Sequence, residues 1–227
     1  MDLSPASLAR LPPRPMSGVW YRAIKTAHLA TALSVVFSGT VSSRFQKHPP
    51  TAPSSLAPTP TSSATPPLPY SLLYLFENAL VAFLEAQALL GSPYGYPGIH
   101  PVSTYAWSLL PVHLNLQRVV DLTDPAQLSL VGTTLQELTG DWSGYDLRAK
   151  GMGSVASSIA TAPTQDLGWG LKYFTGHPLG SALPFEGILS ISARHPIHCN
   201  LVIFPQNLDP RSSVWWTNPL TGLREDV

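Results

Sequence analysis

Residues 49 to 69 read PPTAPSSLAPTPTSSATPPLP, with eight prolines, eight serines or threonines and no charge. Such a run cannot bury enough apolar surface to offset the entropy of ordering it, so it is expected as an extended, mobile loop. A proline-motif ligand is the competing reading, and a linker is the one adopted here. Its position constrains the fold more than its composition does. Too little chain precedes it to form a core, so it interrupts a domain rather than separating two. The expected organisation is a Pro-rich disordered tail at 1–16, then one domain over 17–227 with the loop at 47–69 set into it.

The chain has 227 residues, enough for one domain with a real core or at most two small ones. It is 44% hydrophobic and 11% charged, against roughly 25% charged in an average soluble protein. Formal net charge is zero, which gives no electrostatic grip on nucleic acid or on an anionic membrane. The single cysteine, Cys199, excludes an internal disulfide and a Cys-rich zinc site and fits a reducing, cytoplasmic interior. The apolar run AHLATALSVVFSGTVSS (27 to 43) starts late for a signal segment and ends without an A-x-A site. It is also too short, and too rich in Ser, Thr and Gly, to span a bilayer.

Beyond the loop, SLLYL reads as a short strand, and Asn78 caps a helix expected to run to Leu90 with Gly91 as its stop. SPYGYPGIHP (92 to 101) is a turn-rich loop. LNLQRVVDL (114 to 122) alternates as a strand does. Asp124 followed by Pro125 starts a helix. LQELTGDWSGYD (135 to 146) carries a second short helix, and a Gly, Ser and Ala-rich stretch leads to Pro163. ILSISARHPIHCNLVIFP (188 to 205) reads as two strands around a turn near His195 and Pro196. Strands and helices mix without regular βαβ alternation, which argues for an α+β fold.

On the helix after Asn78, Val81, Leu84, Glu85, Ala88 and Leu89 fall on one face at the spacing of a buried stripe. Four are apolar and one is a carboxylate. A buried carboxylate must be paired, protonated, or turned to a cleft, because an isolated one is costly to desolvate. A structural ion pair with an arginine is the plain alternative to a working acid. Other motifs carry less. GMGSVA (151 to 156) matches a dinucleotide-loop pattern but has no strand before it and no clear helix after it. His195, His198 and Cys199 lack a visible fourth ligand and read as a strand-turn pair, so no metal is expected. Trp215 and Trp216 read as packing.

Seven segments in order then resemble the RES-domain family, the toxins of Xre–RES toxin–antitoxin pairs, named for an Arg, a Glu and a Ser. They are WYRA (20 to 23), SRF (43 to 45), LLYL with ALVAFLEAQALLG (72 to 91), VVDLTD (119 to 124), GDWSGYDLR (140 to 148), APTQDLG (162 to 168), and EGILSISARHP before LVIFP (186 to 205). None is specific alone; their order is. The resemblance implies a fold similar to ADP-ribosyltransferases, with a cleft between two small sheets and surrounding helices. It implies an enzyme that cleaves the nicotinamide–ribose bond of NAD with water or phosphate as acceptor, or one that transfers ADP-ribose to a protein. A non-catalytic interaction module is the remaining reading. The implied partner is a helix-turn-helix antitoxin of Xre type, with NAD as substrate and no metal.

The resemblance also implies roles. Glu85 matches the family Glu; a fixed carboxylate stabilises the oxocarbenium-like charge that builds on the ribose as the bond breaks. Arg22 and Arg44 both fit family arginines and could grip the pyrophosphate bidentately. Tyr74 would line or stack on the nicotinamide side. Ser192 matches the family Ser and would bond the nicotinamide amide or orient Glu85, with Ser143 as its rival. Many members show Gly-Gly-Arg-Trp-Asn where this chain has Ser42, Ser43, Arg44, Phe45 and Gln46, so backbone approach to a phosphate is harder here.

Overall fold

The longest strand pairing joins segments from opposite sides of the proline-rich run. A computed structural model describes residues 1–35, 44–45, 71–90, 98–101, 105–139, 161–174 and 184–227, without side chains at 161–163. Strand β1 (Pro13–Lys25) lies antiparallel along β5 (Trp107–Asp121), from Pro13 opposite Val120 to Lys25 opposite Trp107. The register shifts once, between Arg14 and Met16. Pro15 lies at that point and has no N–H to give to a ladder.

The other edge of β5 is shared. Its middle, His113 to Asn115, pairs antiparallel with β8 (Ser213–Thr217), which carries β9 (Arg224–Asp226). Its end, Val119 to Asp121, pairs parallel with β6 (Gly187–Ile191). β6 runs antiparallel to β7 (Cys199–Ile203), and β7 to β2 (Leu73–Phe76). β2 meets β1 again at Tyr21 opposite Phe76. The pairings thus close a circuit through β1, β5, β6, β7 and β2, with β8 and β9 as a branch. In place of two small sheets there is one seven-stranded sheet forked at β5. A two-stranded ribbon of β3 (Leu89–Leu90) and β4 (His100–Pro101) stands apart.

Alternation sorts the side chains onto two faces. Leu73, Leu75, Leu110, Val112, Leu114, Val119, Leu189, Leu201, Ile203 and Trp216 pack together on one. Leu72, Val120, Ile188 and Val202 pack on the other, against Phe45, Leu122, Leu128, Leu138, Leu167 and Leu171. Those last four residues come from or beside α3 (Pro125–Leu130), α4 (Leu135–Thr139) and α5 (Thr161–Tyr173). The fold is a mixed α+β arrangement, and no described helix is long and apolar enough to cross a membrane.

Several local expectations are met. Asn78 caps α2 (Ala79–Glu85) through its side-chain oxygen, which accepts from Val81 N–H at 3.0 Å. Asp124 caps α3 by accepting from Ala126 N–H at 2.8 Å, with Pro125 at the first helical position. β6 and β7 flank the His195–Pro196 turn. The first residues are different. The stretch expected as a disordered tail, 1–16, forms α1 (Pro5–Leu8) and the start of β1, and Leu8 and Leu11 are buried in the core. Four prolines mimic a tail, yet two leucines supply the apolar area that holds the segment. The proline-rich loop, the GMGSVA segment and all of GDWSGYDLR lie outside the described residues.

Candidate functional site

Helix α2 is shorter than its apolar stripe suggests. It stops at Glu85 because Gln87 takes a left-handed φ of 58°. Ala88 N–H then donates to Phe83 C=O at 2.9 Å and Gln87 N–H to Leu84 C=O at 3.1 Å. This paired closure is usually made by glycine. A helix running to Leu90 is therefore not formed, and Leu89 leaves the stripe for β3. Val81, Ala82 and Leu84 remain buried, with Val81 and Ala82 packed against Ala23 and Phe76. Glu85, half-buried, is left at the helix C-terminus, the unfavourable end for an anion. It needs donors from elsewhere.

The sheet supplies them. Phe76, Asn200 and Ser190 face one another across β2, β7 and β6, so their side chains share one face. Ser192, two residues beyond Ser190, continues that face past the end of β6. Ser192 Oγ donates to Glu85 Oε1 at 2.6 Å, and Asn200 Nδ2 donates to the same oxygen at 2.9 Å. Among the described residues no hydrogen bond reaches Oε2, and Glu85 forms no ion pair. The Ser192 hydroxyl also accepts from Arg194 N–H and His195 N–H, each at 3.1 Å. One donor and two lone pairs are all a hydroxyl has, so Ser192 is saturated. Of its two expected roles, this geometry fits orienting Glu85.

Arg44 arrives from the far side of the proline-rich run. Its Nε donates to Leu138 C=O at 2.5 Å, Nη1 to Ile191 C=O at 2.8 Å, and Nη2 to Ser190 Oγ at 3.2 Å. All three nitrogens are engaged with the protein. Burial pulls its pKa down to about 10; the Glu85 charge opposes that, as does Tyr74, while Arg194 adds to it. The guanidinium therefore remains charged at neutral pH and its field acts on Glu85. Tyr74 holds this segment in place: its hydroxyl accepts from Phe45 N–H at 3.0 Å.

Arg44, Tyr74, Glu85 and Ser192 are thus brought together. Arg22 is not. Tyr21 and Ala23 share the face of Phe76 and Val81, so Arg22 points to the other side of β1, opposite Leu110. There burial lowers its pKa to about 10 and the acid acting on it is Glu225. Its Nη1 is buried without a hydrogen-bond partner. Ser143 lies outside the described residues. Sequence reading missed Ser190 and Asn200. The available signal was Asn200 itself, an amide at the head of the apolar run LVIF, where an unpaired polar group would be costly.

His195 and His198 come within 4.6 Å, ring to ring, at the turn. His198 and the Cys199 N–H both reach Glu77 Oε2, at 3.3 and 2.8 Å. Among the described residues, no group of three or more His, Cys, Asp or Glu converges as a metal site. Trp216 is buried in the core, and Trp215 stacks on His113 at 4.1 Å.

No family model matches this sequence, and no curated protein matches it. Among solved structures, the fold is similar to a chain of the crystal structure of the M. tuberculosis MbcT–MbcA toxin–antitoxin complex. The TM-score is 0.54 at 15% sequence identity, and the match covers 100% of this chain and 93% of that chain. At that identity the likeness concerns the fold.

Proposed function

We propose that this chain is a RES-type toxin with an ADP-ribosyltransferase-like fold, which consumes NAD by cleaving its nicotinamide–ribose bond. The observation that carries the reading is Glu85: one carboxylate oxygen is held by Ser192 and Asn200, and the other has no donor among the described residues. When the glycosidic bond breaks, its electron pair leaves with nicotinamide and positive charge builds on the ribose. A fixed carboxylate stabilises that charge without reorganising. An oxygen of water or phosphate then bonds to the same carbon and gives up a proton when water is the acceptor. Arg44 supplies positive field beside the anion, and Tyr74 lines the approach. A salt bridge from Glu85 to Arg22 or Arg44 with no cleft left would favour the non-catalytic reading; among the described residues, the neutral donors Ser192 and Asn200 hold Glu85 instead. A helix-turn-helix antitoxin is the partner we propose, supported by the fold shared with a chain of a toxin–antitoxin complex.

The test is loss of NAD over time with purified protein, with and without phosphate, beside Glu85→Ala. Wild-type consumption lost in the variant supports the reading, and phosphate dependence identifies the acceptor. Radiolabel from NAD appearing on a macromolecule would move the activity to protein modification. A folded wild type that leaves NAD intact under all these conditions refutes the proposal.

A further inference from the structure

Asn200 lies opposite Ser190 and opposite Phe76, in the middle of the sheet, and is 2% exposed. Its side chain is satisfied at one end. Nδ2 donates to Glu85 Oε1 at 2.9 Å, while Oδ1 is buried with no hydrogen-bond partner. Flipping the amide does not help, since Oδ1 would then face the carboxylate and Nδ2 would be the orphan. A buried acceptor without a donor carries a desolvation penalty that an apolar side chain of similar shape avoids. For the fold alone, Asn200 is a poor choice. Its one useful contact is the hydrogen bond to Glu85.

We propose that Asn200 is a positioning residue for Glu85. Ser192 alone would leave the carboxylate free to swing about a single contact. A second donor from a different strand fixes the carboxylate plane and turns Oε2 outward as the oxygen that meets a reacting group. Two strands and the end of α2 are thereby tied at one atom. The consequence for turnover rests on the NAD-cleaving function proposed above; the contact with Glu85 does not.

The experiment compares Asn200→Leu, Asn200→Ala and Asn200→Asp, with Asn200→Ala repeated in a Glu85→Ala background, by thermal unfolding and by initial rate of NAD loss. Asn200→Leu removes the orphan acceptor together with the donor. Its unfolding midpoint stays at or above the wild-type value, while kcat falls about ten- to a hundredfold, the worth of one hydrogen bond to a charged group. KM for NAD stays within about threefold. Asn200→Ala shows the same split and covers the case in which leucine does not fit. Asn200→Asp keeps the shape but sets a second carboxylate against the first, and falls at least as far. In the Glu85→Ala background, Asn200→Ala changes the residual rate by less than about twofold, because it acts through Glu85.

Wild-type kcat in Asn200→Ala overturns the inference, as does a loss that simply multiplies with that of Glu85→Ala. A raised KM with kcat held also overturns it, by placing Asn200 on the substrate. A wild type that leaves NAD intact refutes the function above, and the positioning inference is then decided by urea unfolding alone. Glu85→Ala and Asn200→Ala must be coupled in a double-mutant cycle, and additive effects overturn it.

Discussion

Ser192→Ala separates two roles for the same hydroxyl. Ser192 is fully buried, and its Oγ makes three bonds: one to Glu85 and two from the backbone of Arg194 and His195. Alanine removes all three. A hydrogen bond to a charged group is worth about 1.5–3 kcal/mol and each neutral backbone bond about 0.5–1.5 kcal/mol. These bonds share one atom and do not add fully, so a loss of about 3 kcal/mol is expected. At about 2–4 °C per kcal/mol for a chain of this size, the melting midpoint falls by roughly 6–12 °C. Because the hydroxyl has no capacity left for a ligand, the NAD cleavage proposed above should fall in kcat, with KM nearly unchanged. Thermal unfolding followed by circular dichroism, beside initial rates across NAD concentrations, checks both. A midpoint within about 2 °C of wild type would show that the hydroxyl does not hold this turn. A tenfold rise in KM with kcat intact would put Ser192 on the nicotinamide and refute the reasoning.

Two further outcomes follow from neighbouring groups. Arg44→Lys keeps the charge but has one nitrogen where three acceptors wait on α4, β6 and Ser190, so a loss of about 2–4 kcal/mol is expected in urea unfolding; a loss below about 0.5 kcal/mol would show that the fork geometry is unused. The Cys199 thiol is pushed up to about 11 by burial first, then by Glu77 and Asp121. The fold therefore favours the protonated thiol: this contribution to stability is full below the ordinary value of 9.0 and is lost as pH rises from there toward 11. At pH 8, alkylation by iodoacetamide should run about a hundredfold slower than for an exposed thiol, and a rate equal to that of free cysteine would contradict the burial.

What was legible in the sequence is what neighbouring residues decide among themselves. Asn78 and Asp124 announce helix starts because a cap needs only a side chain and an N–H two or three positions on. Glu85 stood out because a charge inside an apolar stripe is locally inconsistent. The stop of α2 was hidden because Gln87 occupies a position where the sequence rule expects glycine, yet takes the left-handed conformation there. β1 was hidden for a different reason. PRPMSGVWYRAIK has little alternation of its own, and its strand character comes from β5, on the other side of the proline-rich run.

Arg22 shows why residue type and order can place a residue on the right strand and still misplace its side chain. A strand alternates with period two, so a shift of one position sends a side chain to the opposite face. Tyr21 pairs with Phe76, which fixes its face as that of α2 and commits Arg22 to the other. On that side Glu225 is already held by Ala32 and Leu33 N–H at 3.1 and 2.8 Å and by Trp216 Nε1 at 2.9 Å. The carboxylate that faces Arg22 therefore belongs to β9, and it ties that edge strand to the segment that runs on toward Arg44. The two arginines that looked interchangeable in sequence thus divide between the faces of one sheet. Arg44 charges the face that carries Glu85. Arg22 lies near a half-buried acid on the face that closes the core, and its charge does not need a substrate to account for it.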